Sequence, residues 1–300
     1  MIFPANVDFI LLFVGLLVNK LQDMQLSAPA KINLSLEVKA RRADGFHEIE
    51  TLIAPISLAD RITIEKRGGD GGIQFSCDDE TLPSGNDNLV VRAAKRFMER
   101  TGNSTAIAIH LEKRIPHGAG LGGGSSDAAS TLLGLNELFS AGLSVDELVQ
   151  LAAQLGSDVP FFIRRSPAVC RGRGEIVEPA AVATRFRLLL LKPEFGVATP
   201  WAYSRWKESK KIAGVDYSAR EFGAVRFVND LERPVFEKFV FLGHLKMWLL
   251  QQPEVGVALM SGSGSTLFAV LREGGSGKEL AARAHREIDP TLWTQDCETR

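Results

Sequence analysis

Apolar and polar residues alternate over 32–38 (INLSLEV), again over 61–66 and again over 106–111, a period of two that predicts three half-buried strands. Between the last two, residues 88–100 change period: Leu89, Ala93, Arg96 and Phe97 fall on one helical face. The third strand leads into PHGAGLGGGSSDAA at 116–129, beyond which Ala128, Leu132, Leu135 and Phe139 step by four, three and four. That spacing predicts a helix beginning near Ser126 or Asp127. A further helix opens on a capping box, Ser144 with Glu147, and is expected to close at Gly156 as a C-cap. The second half reads as a buried strand in FRLLLLKP, one helix over 237–252, a strand in VGVALM, a small-residue loop in SGSGST, a strand in LFAVL and a last helix over 277–288. The pattern is α+β, with a domain boundary expected near 180–186, dividing 24–183 from 184–300.

Composition narrows the classes. The chain has 300 residues, 45% hydrophobic and 24% charged, which is ordinary for a folded protein and large enough for two domains. A net charge of −1 with scattered Lys and Arg offers no basic stripe to nucleic acid, so any anion site is local. Cys77, Cys170 and Cys297 are far apart and lack CxxC spacing, which argues against a disulfide framework or a zinc site and fits a cytoplasmic protein. Residues 9–18 form a ten-residue apolar run preceded by Asp8, with no basic residue before Lys20. It is too short to span a bilayer and lacks the flanks of a secretory signal. Residues 1–23 therefore read as an extension outside the fold, with Met24 a candidate start and no stable membrane association expected; tethering through 9–18 is the alternative.

Five glycines lie between Gly118 and Ser126. Such a cluster loses much backbone entropy on folding, which is offset where positive φ angles or close approach of a ligand are needed. A strand, a glycine-rich turn and a helix N-terminus converge free N–H groups and the positive end of the helix dipole on one point, a cradle for phosphate. Ser125 and Ser126 add hydroxyl donors, or a magnesium ligand in Ser125. No Lys follows, so the GxxxxGK[ST] pattern is absent. Gly118, Gly120 and Gly123 satisfy GxGxxG, but no strand ending in an acidic residue about twenty positions on supports a dinucleotide site. A tight connection without a ligand is the plain alternative.

Three stretches, PAKINLSLEV at 29–38, GLGGGSSDAA at 120–129 and SGSGSTLF at 261–268, resemble in order and spacing the three motifs of the GHMP kinases. RRADGFHEIETLI at 41–53 and LGSDVPFFI at 155–163 are similar to the branch of that family acting on 4-diphosphocytidyl-2-C-methyl-D-erythritol, a cytidine-diphosphate-linked alcohol of the non-mevalonate isoprenoid pathway. The likeness runs from Met24 nearly to the C-terminus. It implies a two-domain fold, with an N-terminal domain like ribosomal protein S5, a ferredoxin-like C-terminal domain and the site between them. It also implies ATP with Mg²⁺ and transfer of the γ-phosphoryl group to the tertiary 2-hydroxyl.

Carried over residue by residue, the resemblance makes Asp158 the candidate general base and Lys31 its partner. Pro116, Gly118, Gly120, Leu121, Gly122, Gly123, Gly124, Ser125 and Ser126 become the ATP cradle, and Asn33, His47, Phe46, Tyr203 and Thr199 the substrate contacts. His47 and Tyr203 are expected to sandwich cytosine, while Phe46 stands where the family commonly has Tyr. Asn86, Asp87 and Asn88 fall near the adenosine, and the arginines of CRGRGE at 170–175 face either phosphate or solvent. Without the resemblance, Asp158 reads as an N-cap before Pro160, Lys31 as an outward strand residue, His47 as a surface histidine and Tyr203 as a core aromatic. Two rivals stay open: a homoserine or mevalonate type of kinase, and a nucleotide-binding module without transfer.

Overall fold

The computed structural model describes residues 23–300; the apolar run at 9–18 lies outside them. Two long strands, β1 (Asp23–Arg41) and β2 (His47–Asp70), form an antiparallel hairpin. They extend well beyond the alternating cores visible in the sequence. After β3 (Ile73–Cys77), α1 (Leu89–Thr101) is capped by the Asn88 side chain, which accepts from the Val90 N–H, and β4 (Thr105–Glu112) leads into the glycine loop.

Helix α2 (Gly123–Leu138) starts three residues before the expected Ser126, with Gly122 as its N-cap at φ +71°. The helical period of the apolar positions could not register those residues, because glycine contributes nothing to the pattern. Helix α3 (Val145–Ala153) has the expected Ser144–Glu147 capping box but ends at Gln154; Gly156 belongs to the turn into α4 (Val159–Arg164). β5 (Ala168–Gly172) and β6 (Ile176–Pro179) form a hairpin.

The later half runs β7 (Arg187–Lys192), α5 (Thr199–Arg205), β8 (Arg220–Phe222), β9 (Val225–Asn229), α6 (Glu232–Lys238), α7 (Val240–Leu250), β10 (Val255–Met260), β11 (Leu267–Leu271), α8 (Gly277–Glu287) and β12 (Trp293–Glu298). The single helix expected over 237–252 is broken at Phe239, which leaves helical geometry at φ −108°, ψ 69°. Its ring stacks on Phe195 at 5.0 Å and meets Trp201 edge-on at 5.8 Å, so tertiary packing overrides local propensity there.

Among the described strands there are two sheets, one of eight with the path β3-β4-β2-β1-β9-β8 and with β5 and β6 attached, and one of four ordered β10-β11-β7-β12. β2 serves two partners on one edge, β5 along 49–53 and β4 along 61–70, and Pro55 falls in the gap between them, where its missing N–H breaks no ladder bond on that edge. β9, from the later half, pairs in parallel with β1. One core packs α1, α2 and α3 under β2 and β4, and a second packs α6, α7 and α8 on the smaller sheet. A third joins Ala30, Ile32 and Leu34 of β1 to Leu188, Leu190, Leu259 and Phe268, fixing the two sheets against each other.

Candidate active site

A cavity of about 1300 Å³ is lined by β1, the glycine loop, the turn before α4, the β5–β6 turn, α5 and the 261–266 loop. It gathers residues from opposite ends of the described chain, Lys31 of β1 beside Gly262 and Ser263 of the third loop.

Lys31 is buried, 4% exposed, and not the outward strand residue that alternation alone would give. The reason is tertiary: the glycine loop and the third loop cover its face of β1, where a Cβ on Gly122 would lie 3.1 Å from the Lys31 stem and one on Gly262 3.2 Å from its ammonium. Register shifts at Pro29/Lys31 and Asn33/Ser35 bracket the residue, and its N–H bonds to Leu121 O of the glycine loop at 2.9 Å. The ammonium donates to Asn33 Oδ1 at 2.6 Å and to Gly120 O at 2.8 Å. Asn33 in turn donates to Thr51 Oγ1 at 2.8 Å, and the Thr51 hydroxyl donates to Ser35 O. Burial pushes the Lys31 pKa down, opposed by the field of Asp158.

The glycine loop makes three left-handed turns, at Gly118, Gly120 and Gly122, with φ of +63°, +73° and +71°. Two of these are also sites of close approach. A Cβ on Gly120 would lie 2.2 Å from Ser261 O, and one on Gly122 would lie 2.8 Å from the Phe162 ring and 3.1 Å from the Lys31 stem. Only hydrogen fits. The first N–H groups of α2 have no intrahelical acceptor, and Gly122, Gly123, Gly124 and Ser125 all line the cavity, as do Pro116, Gly118, Gly120 and Leu121. Ser126 does not: it is fully buried, its N–H is bonded to Gly122 O, and its Oγ is buried without a partner. The earlier start of α2 turns it beneath the cradle and out of the cavity lining.

Asp158 lines the cavity at the N-terminus of α4. Its backbone is already helical, at φ −85° and ψ −14°, and its side chain makes no cap hydrogen bond. The capping reading therefore lacks its bond. The carboxylate faces the β5–β6 turn, with Oδ1 3.7 Å from where a Gly174 Cβ would lie. Lys31 feels the field of Asp158, while its own bonds go to Asn33 and Gly120.

At the other end of the cavity His47 stacks on Tyr203, with centroids 5.6 Å apart and planes at 27°, and meets Trp206 edge-on at 6.1 Å. A base between His47 and Tyr203 would need ~7 Å, two van der Waals contacts, so these rings form a joint platform and not an open sandwich. Burial, then Arg41, lowers the His47 pKa. Phe46 is 50% exposed and carries the Arg173 guanidinium over its ring at 4.8 Å. Of the arginines in CRGRGE, Arg173 lines the cavity, whereas Arg171 is paired with Glu50 and Glu178. Thr199 shares a 2.8 Å hydrogen bond with Ser263, which joins α5 to the third loop. Asp87 and Asn88 line the cavity near the glycine loop, while Asn86 pairs with Lys95.

Sequence reading missed several residues. Trp206 follows α5 in an ordinary amphipathic context and reaches the cavity only through the packing of that helix. Asn229 donates to Met260 O at 2.7 Å and Gly262 O at 2.8 Å, holding the third loop against Lys31; no local signal marks it. Lys113 and Asp127 also line the cavity. Burial pushes the Asp127 carboxyl up to about 8 against the pull of Lys113.

Comparison with known proteins gives this geometry a family. Residues 88–166 match the GHMP kinases N terminal domain. A crystal structure of a homoserine kinase from Cytophaga hutchinsonii superposes with a TM-score of 0.65 over 94% of this chain and 96% of that one, at 17% identity, which shows a shared fold. The architecture is the two-domain α+β fold of the GHMP kinases, a class of ATP-dependent phosphotransferases. A 4-diphosphocytidyl-2-C-methyl-D-erythritol kinase of Methylacidiphilum infernorum is 43% identical over 270 residues, 89% of this chain and 93% of the relative. One from Syntrophotalea carbinolica is 40% identical over 85% and 91%. A crystal structure of 4-(cytidine 5'-diphospho)-2C-methyl-D-erythritol kinase aligns with a TM-score of 0.76 at 38% identity, covering 92% of this chain and all of that one. The chain belongs to the 4-diphosphocytidyl-2-C-methyl-D-erythritol kinase family of GHMP kinases.

Proposed function

We propose that the chain transfers the γ-phosphoryl group of ATP to the tertiary 2-hydroxyl of 4-diphosphocytidyl-2-C-methyl-D-erythritol, releasing ADP and the 2-phosphate. The observation that carries this reading is one cavity that unites a phosphate cradle, a buried lysine, a carboxylate free of cap bonds and an aromatic platform. At about 1300 Å³ it exceeds the usual range of ~300–1,000 Å³ for one small ligand and suits two.

Phosphoryl transfer needs an in-line hydroxyl, fixed phosphates and neutralised charge on the transferred oxygens. In this reading the N–H groups of Gly122–Ser125 hold the ATP phosphates. Asp158 accepts the proton of the attacking hydroxyl. Lys31, anchored by Asn33 and Gly120, supplies positive charge between hydroxyl and γ-phosphate. The His47–Tyr203 platform takes a face of the cytosine, with Trp206 at its edge. The branch's usual Tyr at Phe46 would add a hydroxyl that this chain lacks. Mg²⁺ bound with ATP would offset phosphate charge, and the Ser125 hydroxyl, which lines the cavity, would hold it. No described helix is long and apolar enough to cross a membrane. We also read 24–183 as the ATP-binding unit.

Two measurements test this. The full-length protein should release ADP with the cytidylyl alcohol and not with mevalonate or homoserine; equal turnover with either of the latter overturns the substrate. The second is the pH dependence of kcat at saturating substrates. Because burial lowers the Lys31 pKa, the ammonium is lost as pH rises through a value below that of free lysine, and kcat should fall on that limb. Lys31→Arg, which stays charged, should abolish the limb at reduced rate. A flat profile throughout the lysine range in the wild type would remove the charge role of Lys31.

A further inference from the structure

One buried charge cluster has no part in the reaction as proposed. Lys113, just after β4, places its ammonium 2.5 Å from Asp60 of β2 and 2.9 Å from Asp127 of α2, with side chains 10%, 0% and 3% exposed. The second oxygen of Asp60 accepts the N–H groups of Arg114 at 2.5 Å and Ile115 at 2.8 Å. Asp60 therefore grips both the side chain and the main chain of the segment leaving β4, and Lys113 carries that grip to the first turns of α2. Everything between Ile115 and Asp127 is the glycine loop and the start of α2. Gly123 is packed against the same point: a Cβ there would lie 3.0 Å from Ile115 and 3.3 Å from the Lys113 ammonium.

Burying ionisable groups is costly, and an apolar replacement of the same volume is often as stable or more so, so stability alone is a poor account of a buried lysine held between two carboxyl groups. Position is a better one. The loop turns at left-handed glycines and has few side chains to hold its width. Its two ends must be set from outside.

We infer that Asp60, Lys113 and Asp127 form a clamp that fixes the two ends of the phosphate loop relative to each other, and that they are positioning residues for ATP. The clamp lies under the nucleotide side of the cavity, which Lys113 and Asp127 line, and away from the His47–Tyr203 platform. Its loss lets α2 shift against residues 113–115, so the N–H groups of Gly122–Ser125 no longer converge on one phosphate. A displacement of ~1 Å in such a site is enough to cost up to ~100-fold.

This inference rests on the reading that ATP occupies the loop. The test measures kcat, the KM for ATP, the KM for the cytidylyl alcohol and Tm for the full-length wild type, Asp127→Leu, Asp127→Asn and Lys113→Met, with ADP titrated calorimetrically. Asp127→Leu and Lys113→Met should raise the ATP KM by ~10- to 100-fold while the alcohol KM moves less than ~2-fold, with ADP binding weakened in parallel. Asp127→Asn should recover most of the loss, because its amide oxygen still accepts from Lys113. Should Asp127→Leu not fold, Lys113→Met breaks the same link while keeping the aliphatic stem packed. A lowered Tm with an unchanged ATP KM, an equal rise in both KM values, or no recovery in Asp127→Asn overturns the clamp. A wild type that binds no ADP overturns the underlying reading instead.

Discussion

Asp158→Asn is expected to lower kcat by ~10²- to 10⁴-fold while leaving both KM values within a few-fold, the range by which a positioned general base accelerates proton transfer. The substitution keeps shape and removes only basicity and charge. Nothing else about the fold should change, since the Asp158 side chain makes no cap hydrogen bond and its backbone is helical without one. Tm should therefore stay close to that of the wild type, separating this variant from a folding defect. A variant with undiminished kcat at any pH would remove Asp158 from the reaction.

Gly120→Ala is the second large effect, and it is steric. A methyl at Gly120 meets Ser261 O at 2.2 Å and the main chain of Gly264 at 3.0 and 3.1 Å, in a backbone held at φ +73°. The left-handed conformation alone costs a non-glycine residue ~1–3 kcal/mol, and the neighbouring atoms are main chain, which cannot rotate away. The loops at 118–122 and 261–264 must separate. Gly120 O then leaves both Lys31 and the Ser261 hydroxyl, which it accepts at 2.8 and 3.0 Å. Activity should fall by at least ~10-fold together with Tm. Gly142→Ala is the control. It shares a left-handed φ of +69° but has nothing within 4 Å of its Cβ position, so it carries strain without collision. Equal losses of activity in the two variants would mean that backbone strain, and not the approach of the third loop, governs the site.

Both variants depend on features read at different levels. The glycine cradle, the capping box at Ser144 and the short strands were plain along the chain, because φ preference, capping chemistry and period-two burial are local properties. The motifs around Lys31, Gly120–Ala129, Asp158 and 261–268 were plain as a resemblance. What the chain did not disclose was orientation. Ser126 looked like a cradle donor, yet α2 begins at Gly123 and turns it inward. Lys31 reads as a solvated strand residue along the chain, yet the glycine loop and the third loop close over it. His47 and Tyr203 were expected on either side of a base and instead stack on each other.

By itself the sequence determined where the backbone must bend, which segments alternate and which residue types stand ready for phosphate chemistry, since each of these is written within a few neighbouring positions. Tertiary structure alone decided which of those residues meet. Lys113 finds Asp60 across 53 residues, and Asn229 reaches Met260 and Gly262 from a strand paired with β1. Such contacts are selected by how whole sheets and helices pack, and the energy of that packing is spread over three apolar cores, with no single segment of the chain encoding it.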